Sequence, residues 1–191
     1  MQPACSPPPS QAPPRAAREL TLTCFERQPL LASDARCHEL ADILNDVLPR
    51  HGLTLAAFVF LPAQARMLVT HPVDSRPRLA WVGYVVKRVF EQRAREALQT
   101  RNVPLLRTLV QREGRGRYVF RFWQPGEVPV HALDGPDEQI AAVRSMHLAP
   151  VQAGYCAHAR QWRWSSWHDY HGPPPAAGTL RPHVEPLPLS S

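Results

Sequence analysis

A chain of 191 residues, 44% of them hydrophobic, is long enough for one domain with a real core and too short for two large ones. Its four cysteines, Cys5, Cys24, Cys37 and Cys156, are scattered and form no CxxC pair, which argues against a zinc ribbon or a disulfide framework. The formal net charge of +6, with Arg far outnumbering Lys, fits a negatively charged partner met through planar, bidentate phosphate contacts.

The 22 prolines crowd the two ends, so residues 1–17 and 172–191 are expected to be disordered tails around one domain at 18–171. The opening MQPACSPPPSQAPPRAA lacks an apolar signal-peptide core, and no stretch approaches the length of a membrane span. The expected location is cytoplasmic, with no membrane partner.

ELTLTCF, from Glu19 to Phe25, alternates like a strand with one buried face. Ser33 and Asp34 then offer N-caps to a helix whose stripe is Cys37, Leu40, Ala41, Leu44, Val47 and Leu48, ended by Pro49 and Gly52. TLAAFVFLP (54–62) and RMLVT (66–70) read as an antiparallel pair turning near Pro62 and Ala63. A second helix is expected over roughly Arg76 to Leu98, with Leu79, Val82, Val86, Val89 and Phe90 on its apolar side. Lys87, Arg88, Arg93 and Arg95 cluster on it as a face for phosphates.

QREGRGR (111–117) suggests a turn before the strand-like YVFRFW (118–123), and a last helix is expected around Pro136 to His147. The order β-α-β-β-α-β followed by a helical extension is that of a ferredoxin-like α+β domain with an antiparallel sheet.

Four segments, in order, carry a family resemblance: LTLTCFERQPLL (20–31), HGLTLAAFVFLPAQARMLV (51–69), FWQPG (122–126) and MHLAPVQAGYCAHARQWRWSS (146–166). Together, over roughly Leu20 to Tyr170, the chain resembles the REP-associated tyrosine transposases. These form the branch of the HUH endonuclease class that acts on palindromic single-stranded DNA. The resemblance implies a Mg or Mn ion held by two histidines on one strand face, which polarises the scissile phosphate, and a tyrosine that attacks it to give a 5′ phosphotyrosine.

The residues for that chemistry are replaced. The family's Met-Pro-Asn-His-x-His-Leu-Leu corresponds to Leu61 through Leu68, so Gln64 and Arg66 stand at the ligand positions. Gln64 could offer a neutral oxygen, but Arg66 brings a permanent positive charge to a cation's place. His71 is a substitute only if a bulge intervenes, since strand parity turns it away from 64 and 66. The family's Phe-Trp-Gln-x-Gly-Gly-Gly-Tyr-Asp corresponds to Phe122 through Val130, which puts Pro129 at the nucleophile position. None of Tyr84, Tyr118, Tyr155 and Tyr170 falls there; Tyr118 is the one to test. In the fourth segment Ala149 replaces the family's Asn, while His147, Pro150, Val151 and Gly154 match. His147 reads as a packing and hydrogen-bonding residue, and Trp162, Trp164 and Trp167 as indoles of a terminal helix docked on the domain.

The first reading is therefore a protein that binds single-stranded or hairpin DNA without cleaving it. Its expected DNA-binding residues are Arg66, Lys87, Arg88, Arg115, Arg117 and Arg121, with no cofactor. A transposition enzyme with substitute ligands, and a decaying gene product or protein-interaction domain that no longer binds DNA, are the alternatives. A homodimer is one assembly compatible with the sequence.

Overall fold

The computed structural model describes residues 15–114, 116–173 and 181–188. Strand β1 (Arg15–Thr23), helix α1 (Asp34–Arg50), β2 (Thr54–Leu61), β3 (Gln64–Pro72) and helix α2 (Leu79–Arg101) follow the expected order. Then come α3 (Val103–Leu109), β4 (Val110–Glu113), β5 (Arg117–Phe120), β6 (Val130–Leu133), α4 (Pro136–Gln152) and the short α5 (Trp167–His171). Four strands form one antiparallel sheet in the order β2-β3-β1-β6, the ferredoxin-like arrangement.

The fourth strand is not the aromatic run. Arg117 to Phe120 pair with Val110 to Glu113 in a separate two-stranded hairpin, and Val130–Leu133 takes the sheet edge beside β1. YVFRFW alternates well enough for a strand, but its last two aromatics are needed elsewhere. Phe122 and Trp123 are fully buried against Phe90 of α2, and their N–H groups donate to Glu91 Oε1 rather than to a ladder.

The sheet has two covered faces. Leu20, Leu22, Phe58, Phe60, Met67 and Val69 meet α1 and α2 in the main core. On the other face Ala17, Ala57, Val59 and Leu68 meet Val143 and Met146 of α4. A bulge in β2 between Leu55 and Ala57 resets which side chains point to which face.

Parts of both expected tails belong to the folded domain. Arg15 to Ala17 already belong to β1, where Ala17 is fully buried and Arg15 donates to the hydroxyls of Thr54 and Thr70. At the other end, residues 181–188 run along the domain: Glu185 N donates to Leu55 O, His183 N to Asn45, and Leu187 N to the Tyr170 hydroxyl. An extended proline-rich segment has unpaired backbone groups, and here a sheet edge, a helix and a tyrosine supply their partners. Residues 1–14, 174–180 and 189–191 lie outside the described residues.

The tryptophan segment docks largely without helix. Trp162 Nε1 donates to Phe60 O at 2.9 Å, and buried Trp164 donates to Asp34 Oδ1, in α1's first turn, at 2.6 Å.

Candidate nucleic-acid interface

Gln64 and Arg66 sit on the sheet face that α4 covers, with Thr23 and Thr21 of β1 directly opposite. Arg66 is engaged there: its Nε donates to Glu19 Oε1 at 2.7 Å and its Nη1 to Ser145 Oγ at 3.2 Å. The side chains of Arg66 and Glu19 are only 20% and 12% exposed. The pairing of β3 with β1 runs from Pro72 to Gln64 without a break, so alternation is strict and His71 lies on the opposite face. Its Nδ1 is 2.9 Å from Pro72 O and 3.1 Å from Ser75 Oγ.

The Mg or Mn ion implied by the resemblance does not fit these residues. A guanidinium already neutralised by a carboxylate occupies the second ligand position, and the nearest histidine along the strand points away. Among the described residues, no group of three or more His, Cys, Asp or Glu side chains is placed to hold a metal.

Pro129, at the nucleophile position, is exposed just before β6 and its carbonyl accepts from Thr21 N at 3.3 Å. Arg66, Thr21 and Pro129 thus line up across three adjacent chains, with Arg66 and Pro129 about 10 Å apart by strand spacing. The neighbouring Val128 is buried and fills the space beside Gly83, where a Cβ would come within 2.8 Å of its methyl. Tyr118 is on the separate hairpin and lines a different cavity from Pro129. Burial pushes the Cys24 and Cys37 thiols up to about 12, so neither is a thiolate near neutrality.

His147 is buried, with Nε2 3.0 Å from Ser166 Oγ. Burial, reinforced by His171, lowers its pKa to about 4, so the ring is neutral and structural.

The basic residues gather elsewhere. The outer side of α2 and the β4–β5 hairpin form the walls of a groove of about 680 Å³, lined by Arg88, Arg95, Arg117 and Tyr118 together with Glu91 and Glu96. A smaller cavity of about 210 Å³ adjoins it, bringing in Tyr84, Lys87 and Arg121. Of the expected DNA-binding residues, Lys87, Arg88, Arg117 and Arg121 converge here. Arg66 is on the other side of the sheet, and Arg115 lies outside the described residues.

These cations are not equivalent. Arg121 pairs with Glu113, and Lys87 Nζ donates to Gln124 O at 2.6 Å and Gly126 O at 3.3 Å. Burial lowers the pKa of Lys87. Among the described residues Arg88, Arg95 and Arg117 are in no ion pair, so their guanidinium groups face the groove uncommitted. Arg93, from the same helical cluster, turns to Asp42 of α1. The exposed Trp81 and Tyr84 continue the groove's helical wall, stacked with ring centroids 5.3 Å apart. The sequence signal for them was their place opposite the Val82–Val86–Phe90 stripe, where an exposed aromatic pair has no packing reason to be.

No family model matches the sequence, and no curated protein matches it. Among solved structures, the chain is similar to a REP-associated tyrosine transposase bound to a REP hairpin. The likeness covers 92% of this chain and 93% of that one, at 18% identity and a TM-score of 0.60. It is also similar to a candidate transposase from Deinococcus radiodurans R1, over 72% of this chain and 93% of that one, at 17% identity and a TM-score of 0.46. The first likeness establishes a shared α+β fold with an antiparallel sheet.

Proposed function

We propose that this chain is a member of the REP-associated tyrosine transposase family that binds single-stranded or hairpin DNA and does not cleave it. The observation that carries the binding half is the convergence of Arg88, Arg95 and Arg117 on one groove, with Tyr118 among them and Tyr84 in the adjoining cavity. Guanidinium groups meet phosphates bidentately, and aromatic faces meet bases. The shared fold with a hairpin-bound transposase supports the nature of the ligand.

The loss of cleavage is supported by Arg66 and Pro129. A Lewis-acid ion would have to displace an ion pair between Arg66 and Glu19, and proline has no hydroxyl to attack phosphorus.

Titration of the protein with a fluorescent palindromic hairpin at several salt concentrations tests the first half. Binding should weaken steeply with salt, and Arg88→Ala/Arg117→Ala should bind more weakly with a salt slope reduced by about 2. Incubation of the hairpin with protein and manganese tests the second half: neither a cleaved strand nor a covalent protein–DNA adduct is expected. Binding insensitive to salt, or an adduct, refutes the corresponding half.

A further inference from the structure

We propose that Trp81 and Tyr84 form a stacking platform for unpaired bases of a DNA strand whose phosphates follow Arg88 and Arg95. This rests on the DNA-binding reading and assigns the bases a place within it.

Trp81 and Tyr84 are 54% and 46% exposed on the solvent side of α2, three residues apart and therefore on adjoining turns of one face. Their rings stack on one another with planes 27° from parallel, so each ring keeps one face that the other does not cover. Nothing in the fold requires this, because the helix's buried stripe, Val82, Val86 and Phe90, is on the opposite side. Arg78, the N-cap residue of α2, precedes the pair and Arg88 follows it by one turn, so cations flank the two aromatics along the chain.

The charge pattern selects the occupant. A protein partner would want a broader apolar patch around two such rings, whereas a polyanion with flat, apolar faces matches an aromatic pair flanked by arginines. Leu79 to Arg95 spans about 24 Å of helix, room for several nucleotides. Bases in a duplex are already stacked on one another, so only an unpaired stretch can use the platform. Tyr118, 68% exposed on the facing hairpin, gives the groove's other wall an aromatic face as well.

The test compares a 12-nucleotide thymidine strand with a blunt duplex of the same length, by anisotropy, using the full chain. For Trp81→Ala/Tyr84→Ala the single strand should bind at least about tenfold more weakly. The salt slope should stay unchanged, because no phosphate contact is removed, and duplex binding should be unaffected. Trp81→Phe should recover most of the loss, since a phenyl ring still stacks; both residues are exposed, so the core is untouched. The proposal is overturned if the double variant binds the single strand as wild type does, if both DNA forms weaken equally, or if the substitutions change self-association and not DNA affinity. Preference for the corresponding uridine RNA over the thymidine strand also overturns it. Wild type that binds neither DNA form sinks the DNA-binding reading as a whole. Wild type that binds with a steep salt slope while the variant is unaffected sinks only the stacking platform.

Discussion

The Nε of Arg66 donates to the Oε1 of Glu19 diagonally across β3 and β1, beneath α4, and both side chains are largely withdrawn from water. Diagonal neighbours on a sheet face are within reach of long side chains, so the pair needs no distortion of the strands. The two charges neutralise one another within the sheet face.

Removing one partner is therefore costly. Arg66→Ala would leave the Glu19 carboxylate largely buried without its counter-charge, and we expect a loss of about 3 kcal/mol in urea unfolding. Glu19→Leu/Arg66→Met should recover most of that loss. Hairpin affinity of the folded Arg66→Ala protein should equal that of wild type, because the residue lies on the sheet face away from α2. A weaker hairpin complex at equal salt would assign Arg66 a phosphate contact after all.

Gly83 permits the burial of Val128. Alanine is the better helix former by about 1 kcal/mol, yet its Cβ would lie 2.8 Å and 2.9 Å from the two Val128 methyls. Overpacking of this kind costs about 1–3 kcal/mol, so Gly83→Ala should destabilise the protein. The Val128 Cβ itself lies 3.0 Å from that position, so a Val128→Gly background is needed to remove the clash, and there the same substitution should become stabilising. The double-mutant cycle by thermal or urea unfolding reads this change of sign.

Glu91 holds the Phe122–Trp123 segment by accepting both backbone N–H groups, at 3.1 Å and 3.3 Å. Burial raises its pKa, against the opposing pull of those hydrogen bonds and of Lys87. The folded state then holds the proton to a higher pH than the unfolded chain. Its share of stability is greatest in acid and falls as pH rises from the ordinary carboxylate range through the raised value. Glu91→Gln, which keeps an acceptor without the charge, should be neutral or stabilising at pH 7. Glu91→Ala, which orphans two N–H groups, should lose about 1–3 kcal/mol.

His147 has the opposite dependence. Its pKa is lowered from 6.5 to about 4, so the unfolded chain takes up the proton first as pH falls. Stability contributed by the neutral ring is complete above about 6.5 and is lost between there and about 4, to a maximum of about 3 kcal/mol. Unfolding free energies at pH 7 and pH 4.5 for wild type and His147→Gln should show the pH-dependent difference shrinking in the variant.

Periodicity made the central architecture readable. The α1 stripe, the β2–β3 hairpin and the parity that turns His71 from Arg66 all follow from regular alternation along segments long enough to count. The fourth strand did not, because Val130–Leu133 is four residues with His131 in it, while YVFRFW offers a better pattern for an element that then breaks at Phe122. α3 was overlooked despite a legible start, since Asn102 Oδ1 caps Leu105 N at 3.1 Å and Pro104 opens the first turn. At residues 181–188, proline content argued for disorder, but the partners for their backbone are supplied from Asn45, Leu55 and Tyr170, far away in sequence. At the interface the arginines were readable as a basic cluster. Which of them are spent on Asp42 or Glu113 depends on tertiary neighbours.

Among the described residues the β4–β5 hairpin shares no strand pairing with the main sheet; its base is tethered through Leu109 and Phe120, and glycines with positive φ stand in its turn at 114 and 116. One bank of the groove is thus a helix the domain cannot do without, and the other is a loop it could exchange. Changes of length or residue between Gln111 and Val119 can redraw what the groove accepts while leaving the scaffold's folding problem as it was, which makes the hairpin the part of the molecule most open to retuning.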